Sequence, residues 1–181
     1  RLAEAGEQKK VVSMVGSLSD FFRISLNQGQ DILDVKEELQ HVRSYLEIQQ
    51  MRYQDILQYE ICVPEELNHC QIPKITLQPL VENALYHGIK NKRGKGIIRI
   101  EGELDGENCI LLITDNGKGM TPERLEQVRK GIRNRKARET DIYGLYNVNE
   151  RIRLNFGENY GITITSTYGE GTCVTVRLPQ Y

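Results

Sequence analysis

The hydrophobic period of this chain changes near residue 56, and that change limits the architectures available to it. Upstream, apolar residues recur at steps of three and four over residues 9–26 and 34–53, as in helices that bury one face. Downstream, residues 56–63 alternate between apolar and polar side chains, as a half-buried strand does, and further strand-like and helical segments follow. We therefore predict two domains, residues 1–54 and residues 55–181.

The two N-terminal helices are predicted to form an antiparallel hairpin. Gly29 lies where a first helix would end, and Asp34 with Glu37 resembles a capping box that starts the second. The second helix has apolar steps of 4-3-4-3-4, a heptad seam made of Val35, Leu39, Val42, Leu46, Gln49 and Tyr53. Two interpretations stay open: two hairpins pair into a four-helix dimer, or the hairpin folds onto its own domain.

The C-terminal domain is predicted to be an α+β two-layer sandwich, because its strands and helices do not follow strict βαβ alternation. The predicted strands are residues 56–63, 97–104, 109–115, 160–167 and 172–178. The predicted helices are residues 75–89, 121–132 and 145–156, and residues 129–143 are predicted to be largely polar and irregular.

Charge and cysteine spacing argue against some functions. The formal net charge of −1 gives no reason to expect that the molecule as a whole binds nucleic acid. The four cysteines are 8, 39 and 64 residues apart, which matches no zinc or Cys-x-x-Cys pattern. We therefore predict reduced thiols, with Cys109 and Cys173 buried in strands. No stretch of the sequence is apolar over the length needed to cross a bilayer.

Two polar motifs in succession favour a nucleotide site. The motif Asp-Asn-Gly-Lys-Gly-Met at residues 115–120 follows an apolar strand directly. Its glycines let the backbone approach a flat ring, and Asp115 can accept a hydrogen bond from an exocyclic amine such as that of adenine. On the preceding predicted helix, Asn83 and His87 are four residues apart and share a face, and a carboxamide oxygen suits Mg²⁺. Taken alone, the first motif would be interpreted as a turn, and Asn83 and His87 as a solvated and a helix-terminal residue.

Glycines and positive charges further along extend this pattern. Gly144 is predicted at a helix N-terminus, where free N–H groups meet phosphate oxygens, and Gly-Glu-Gly-Thr at residues 169–172 forms a strand turn. Residues 129–138 contain no acidic side chain, so they could form a mobile cationic loop that closes over a polyphosphate, a solvated charged surface or a nucleic-acid patch. Their cations are Arg129, Lys130, Arg133, Arg135, Lys136 and Arg138.

The order of these motifs resembles the GHKL ATPase superfamily. More narrowly, Leu-Gln-Pro-Leu-Val-Glu-Asn-Ala-Leu-Tyr-His-Gly at residues 77–88 is similar to LytS/YesM-type sensor histidine kinases, as are residues 18–26, 45–49 and 51–53. Four ordered motifs with a matching hairpin are more specific than any single motif, and the resemblance covers nearly the whole chain. It implies a Bergerat-type ATP-binding fold after the helical hairpin.

The resemblance implies a role for each matching residue. Asn83 would ligate the Mg²⁺ that bridges the ATP phosphates, Asp115 would bind the adenine amine next to Thr172, and Glu82 would act as a catalytic polariser. The implied ATP-binding residues are Asn83, His87, Lys90, Asp115, Asn116, Gly117, Gly119, Gly144, Leu145 and Thr172.

The resemblance also implies a reaction and its partners. A histidine would be phosphorylated from ATP, and the phosphoryl group would pass to an aspartate of a response regulator. The protein would dimerise through the helical hairpin, and the chain would be the cytoplasmic portion of a membrane-anchored bacterial protein. The alternatives are a GHKL-type serine kinase and a non-catalytic, nucleotide-binding dimeric module.

Some positions depart from the family pattern. Tyr86 stands where similar kinases often have Lys, with Lys90 nearby to supply the charge, and Ile142 stands where the first glycine of a pair is usual. The His-Phe-rich phosphoacceptor motif of the first hairpin helix is absent, so the acceptor is expected upstream of Arg1. We interpret the three histidines as solvated or close to the nucleotide: His41, His69 and His87.

Overall fold

Among the described residues, five of the seven strands form one mixed sheet that carries a layer of helices. The computed structural model describes residues 8–25, 31–54, 56–89, 94–134 and 139–180. The helices are α1 (Gln8–Ser25), α2 (Val35–Arg52), α3 (Leu77–Asn83), α4 (Pro122–Arg133) and α5 (Thr140–Phe156), with a short 3-10 helix at Glu65–Leu67 and a π-helical turn at Ala84–Ile89. The strands are β1 (Ile32–Asp34), β2 (Leu57–Cys62), β3 (Gln71–Pro73), β4 (Gly96–Asp105), β5 (Asn108–Asp115), β6 (Gly161–Thr167) and β7 (Gly171–Pro179).

The large sheet has the order β2-β4-β5-β7-β6, with β2 parallel to β4 and the other neighbours antiparallel. Alternate side chains point to one face and are buried there, for example Ile98, Ile100, Leu111, Ile113 and Val176. Helices α4 and α5 pack on β6, and the π-helical turn packs on β4 and β5. This arrangement confirms the predicted α+β two-layer sandwich.

A separate two-stranded sheet of β1 and β3 was not predicted from the sequence. Its register pairs Ile32 with Pro73 and Asp34 with Gln71, and strands of three residues are too short to show an alternating pattern. Asp34 occupies the predicted N-cap of α2, but its side chain makes no capping hydrogen bond. Its carboxylate lies 3.4 Å from the Nδ1 atom of His69 instead. The capping-box prediction therefore located the helix start correctly and its bonding wrongly.

The heptad seam of α2 packs against other elements of the same chain. Val35, Leu39, Val42 and Leu46 are buried in the same core as Leu80 of α3. Because α2 packs on α3 and β2 as well as on α1, its seam is covered by the chain's own domain, and a dimer would have to use another face of the hairpin. The spacing alone could not decide this, since a seam can be covered by any apolar surface.

The region before α5 was predicted wrongly. Residues 129–143 are not irregular throughout: α4 continues to Arg133, and α5 begins at Thr140 rather than at residue 145. Arg129 belongs to α4, and its guanidinium donates to the carbonyl oxygen of Ile164. Of the six cations of the predicted loop, three lie on α4, and the others lie outside the described residues: Arg135, Lys136 and Arg138.

The cysteines are unpaired, as predicted. Cys70 and Cys109 are buried, Cys173 is partly exposed and Cys62 is exposed, so the prediction of burial holds for Cys109 and only in part for Cys173. In the part of the chain that the structure describes, no helix is both long and apolar enough to cross a membrane.

His41 is buried, which corrects the prediction of a solvated side chain. It lies on α2 with 1% of its surface exposed. Burial lowers the pKa of its imidazole below the ordinary 6.5, and the charge of Lys74 lowers this pKa further. An imidazole in this position is poorly placed to receive a phosphoryl group from solvent.

We expect acid to destabilise the fold through His41. The unfolded chain takes up a proton near pH 6.5, while the folded chain resists it, so the free energy of unfolding should fall as the pH drops below 6.5. One proton corresponds to a slope of at most about 1.4 kcal/mol per pH unit. Urea unfolding between pH 7.5 and 5.5 measures this slope, and His41→Gln should reduce it. Substitution of the exposed His69 by Gln serves as the control. An equal slope in wild type and His41→Gln would contradict the assignment.

Candidate functional site

A cavity of about 340 Å³ opens where β5 ends, between the sheet and the helices that cover it. Apolar walls with a few polar groups are typical of sites for small molecules. The polar lining residues are Asn83, His87, Asp115, Lys118, Thr121, Arg124, Tyr168 and Thr172. The apolar lining residues are Leu80, Ala84, Ile113, Met120, Val128, Ile142, Leu145, Ile164 and Val174.

Asp115 is the last residue of β5 and supplies the carboxylate of the cavity. Its side chain is buried, with 7% of the residue exposed. The Oδ1 atom accepts a hydrogen bond of 2.8 Å from the backbone N–H of Gly117, two residues on, which fixes the orientation of the carboxylate. A buried carboxylate needs such donors, and it can accept further hydrogen bonds from a ligand.

Strand β7 brings Thr172 beside Asp115. The antiparallel register pairs these two residues directly. The Thr172 hydroxyl lies 2.9 Å from the hydroxyl of Ser166 on β6, and Ser166 in turn donates to the carbonyl oxygen of Gly171. The predicted neighbourhood of Thr172 and Asp115 therefore follows from the pairing of two strand ends.

Two glycines allow the backbone of this region to come together. Gly119 has a φ of +67°, in the left-handed region, and an added Cβ would overlap the carbonyl oxygen of Thr167. A Cβ on Gly171 would overlap the carbonyl oxygen of Asp115. The loop after β5 is also tied to the β6–β7 end by a hydrogen bond of 2.8 Å from the N–H of Met120 to Ser166 Oγ. Gly119, which also lines the cavity, and Gly171 thus shape the wall next to Asp115.

Asn83 and His87 reach the cavity from the helical layer. Asn83 is the last residue of α3, and the π-helical turn begins at Ala84. Single π-helical turns are uncommon and occur frequently at functional sites. Although the turn changes the helical spacing, both side chains line the cavity as the four-residue separation predicted.

Several predicted residues lie elsewhere. The Glu82 carboxylate accepts a hydrogen bond from Gln78 and does not line the cavity. The side chain of Asn116 ties its loop to the sheet, because its Oδ1 atom accepts from the N–H of Ile97 at 2.7 Å. Gly117 contributes its N–H to Asp115, and Lys90 lies outside the described residues.

Gly144 requires a correction. It lies in the second turn of α5 and not at its N-terminus, so its N–H is no longer among the first four unpaired ones. The neighbouring Leu145 does line the cavity, and so does Ile142. The buried steps from Ile142 through Leu145, Val148 and Ile152 are helical, and this signal in the sequence could have located the true start of α5.

The sequence reasoning missed two charged residues of the cavity, Lys118 and Arg124. Arg124 stands in the first turn of α4, and its backbone N–H donates to Thr121 Oγ1, which caps that helix. Its guanidinium also forms an ion pair of 2.6 Å with Glu139, the residue before α5. The predicted helix start after the motif at residues 115–120 was the available signal, since it places the first turn of α4 near Asp115.

This arrangement suits a nucleotide. The carboxylate of Asp115 can accept a hydrogen bond from an exocyclic amine, and apolar walls such as Ile113 and Met120 can hold a flat ring. The side-chain amide of Asn83 and the guanidinium of Arg124 can make polar contacts with the charged part of a nucleotide.

Family models and known proteins agree with this assignment. Residues 73–181 match the family model of histidine kinase-, DNA gyrase B-, and HSP90-like ATPases, and residues 1–57 match the model named histidine kinase. The sensor histidine kinase YesM of Bacillus subtilis (strain 168) is 37% identical over 180 residues, which cover 98% of this chain and 29% of that protein. The sensor histidine kinase BtsS of Escherichia coli (strain K12) is 32% identical over 173 residues, 96% of this chain and 28% of that protein. The chain therefore spans less than a third of the length of these two relatives.

Solved structures show the same fold at low identity. The histidine kinase domain of the blue-light activated histidine kinase EL346 of Erythrobacter litoralis has a TM-score of 0.61 at 14% identity, covering 94% of this chain and 75% of that one. The catalytic domain of the histidine kinase ThkA has a TM-score of 0.63 at 15% identity, covering 82% of this chain and 94% of that one. The family model, the relatives and the fold confirm the resemblance seen in the motifs, and the chain belongs to the histidine kinase-, DNA gyrase B- and HSP90-like ATPase family.

Proposed function

We propose that this chain is the ATP-binding catalytic core of a two-component sensor histidine kinase. It would phosphorylate a histidine from ATP, and the phosphoryl group would then pass to an aspartate of a response regulator. The supporting observation is the cavity at the end of β5, which Asp115 reaches from β5, Thr172 from β7, and Asn83 and His87 from α3 and the π-helical turn that continues it. Phosphoryl transfer mainly requires that the protein position the γ-phosphate and neutralise its charge, and a cavity of this kind can do both.

In this proposal Asp115 binds the adenine amine, and Gly117 and Gly119 shape the pocket around the base. His87, Lys90 and Leu145 serve the phosphates, whereas Gly144 lies inside α5 and has no role at the site. Glu82 remains the proposed polariser, although its carboxylate accepts a hydrogen bond from Gln78.

The residues of the cavity fit Mg²⁺ as a partner of the ATP phosphates. No group of three or more acidic, histidine or cysteine side chains that could hold a metal alone occurs among the residues described. Mg²⁺ at ATP sites is usually bound by one or two protein oxygens together with phosphates and water, and Asn83 supplies one such oxygen. When bound, the ion would neutralise the phosphate charge, and Asn83 would orient it.

The proposed acceptor histidine lies on another part of the protein. His41 is buried, and the exposed His69 has its Nδ1 atom 3.4 Å from the carboxylate of Asp34. His87 belongs to the same helical segment as Asn83, so it is fixed relative to the nucleotide and cannot approach the γ-phosphate as an incoming nucleophile.

The proposed homodimer would use α1 rather than the seam of α2. The α2 seam is covered by the domain core, whereas Val12 and Val15 of α1 are 71% and 57% exposed. Exposed apolar residues one helical turn apart are suited to a helix partner.

The function is tested by adenine recognition in an Asp115→Asn variant. Asn keeps one oxygen for the N–H of Gly117 and replaces the other with an amide donor, so it can no longer offer the adenine amine a carboxylate. We expect ATP affinity to fall by about 1–3 kcal/mol with the fold intact, as measured by calorimetric titration in Mg²⁺.

The matched control is Asp105→Asn, at the opposite end of the β4–β5 hairpin, which should bind ATP like the wild type. Wild-type protein that fails to bind any adenine nucleotide at millimolar concentration would refute the proposed function. Unchanged affinity in Asp115→Asn would refute the assigned role of Asp115.

A further inference from the structure

Glu38 is a fully buried carboxylate on α2, outside the nucleotide cavity. Its exposed fraction is 0%. It accepts hydrogen bonds from three consecutive backbone N–H groups: Ile75 at 2.7 Å to Oε1, and Thr76 and Leu77 at 3.1 Å each to Oε2. These are the donors at the start of α3, which ends at Asn83.

The capping of α3 is thus supplied by a distant helix and not by its own N-cap residue. Thr76 occupies the N-cap position without a capping side-chain bond, and its hydroxyl donates to the carbonyl oxygen of Pro73 at 2.6 Å instead. The preceding Ile75 has a φ of +57°, which is costly for a β-branched residue and persists only where surrounding contacts impose it. Glu38 provides such a contact through the N–H of Ile75 itself.

Helix α5 holds the same segment from the other side. Arg151 donates to the carbonyl oxygens of Lys74 and Ile75. Burial raises the pKa of the Glu38 carboxyl, while the three N–H donors and the charge of Arg151 act against that rise. Residues 74–77 are therefore clamped between a carboxylate of α2 and a guanidinium of α5.

The clamp holds the first residues of α3, and Asn83 of the nucleotide site is the last residue of the same short helix. Asn83 is six residues after Leu77, about 9 Å along the helix. Helix α5 also carries Leu145, another cavity residue, so both elements held by the clamp reach the site. A small displacement at the clamp would move Asn83. Misplacement of a positioning group by about 1 Å can strongly reduce the rate of a reaction that depends on its geometry.

We propose that Glu38 is a positioning residue of the nucleotide site: it sets α3 from α2 so that the Asn83 carboxamide faces the metal and the phosphates. This inference rests on the proposed function. Asp115 and Thr172 stand on β5 and β7, which have no hydrogen bond with Glu38, so the base end of the site is independent of the clamp.

The proposal is tested by comparing two ligands in a Glu38→Gln variant. Gln has nearly the same shape but turns one acceptor into a donor that faces backbone N–H groups. The affinity for ATP in Mg²⁺ should fall roughly 3- to 30-fold, a range typical of residues that act on a site through intervening structure. The affinity for adenosine, which has no phosphates, should change less than about twofold because its contacts are on β5 and β7. Calorimetry for ATP and NMR titration for adenosine give the two values.

Controls separate this role from a general effect on the fold. Glu37→Gln, the neighbouring carboxylate on α2, should alter neither ligand. Equal weakening of ATP and adenosine, or no change in either with only lower stability, would overturn the proposal. If Glu38→Gln does not fold, Arg151→Lys tests the same clamp from α5. This variant should also lose affinity for ATP and keep its affinity for adenosine. An Arg151→Lys variant that binds both ligands as the wild type does would overturn the proposal. Failure of wild type to bind both ligands would instead count against the proposed function.

Discussion

Replacing Gly119 with alanine should destroy the base end of the nucleotide site. The backbone at Gly119 is left-handed, and an added Cβ would overlap the carbonyl oxygen of Thr167, a backbone atom that cannot swing aside. A left-handed conformation costs an ordinary residue roughly 1–2 kcal/mol, and forced overlap in a packed region costs about 1–3 kcal/mol more. We therefore expect the loop after β5 to detach from β6. Calorimetry should then detect no ATP binding, and the midpoint temperature of thermal unfolding should fall.

Gly144→Ala is the matched control for this change. An added Cβ at Gly144 meets nothing within 4 Å, and the residue lies inside α5. Alanine in a helix interior is favoured over glycine by about 0.5–1 kcal/mol, so this variant should unfold at a higher temperature than wild type. ATP binding lost in Gly144→Ala with the fold intact would show that the phosphates approach this backbone after all. Normal ATP binding by Gly119→Ala would contradict the role given to Gly119.

The parts of the site that could be predicted are those attached to strand ends. Asp115 ends a clear apolar strand, β5, and Thr172 is the second residue of β7. Once two such strands are neighbours, backbone pairing alone sets these residues side by side. Asn83 was predictable for a similar reason, since helical spacing fixes which residues share a face with it.

The parts that could not be predicted depend on tertiary contacts without a local period. Glu38 is one of several charged residues on α2, and its neighbour Glu37 has the same side chain, yet only Glu38 is fully buried against the start of α3. The pairing of β1 with β3 is equally invisible to a pattern search. The heptad seam was visible, but its partner was not, because a seam specifies an apolar surface without saying which one covers it.

Asn83→Ala should abolish histidine phosphorylation in a longer form of this protein that carries its acceptor. The carboxamide of Asn83 is the proposed protein ligand of Mg²⁺, and alanine removes the only oxygen of that side chain. Without it the phosphate charge is less well balanced and the γ-phosphate is poorly positioned, which together control phosphoryl transfer. Adenosine should still bind with nearly wild-type affinity, since Asp115 and Thr172 stand on separate strands.

The measurement is transfer of label from γ-labelled ATP, followed by the stability of the label in acid and base. Phosphohistidine is lost in acid and kept in base, so this label should be present in wild type and absent in Asn83→Ala. Asn155→Ala is the matched control, because Asn155 is exposed at the far end of α5 and, among the described residues, its side chain donates only to the backbone carbonyl oxygen of Arg151 in the same helix. Wild-type labelling in Asn83→Ala would exclude Asn83 as a metal ligand. Loss of labelling together with loss of adenosine binding would point instead to collapse of the cavity, because the base end of the site does not depend on the metal.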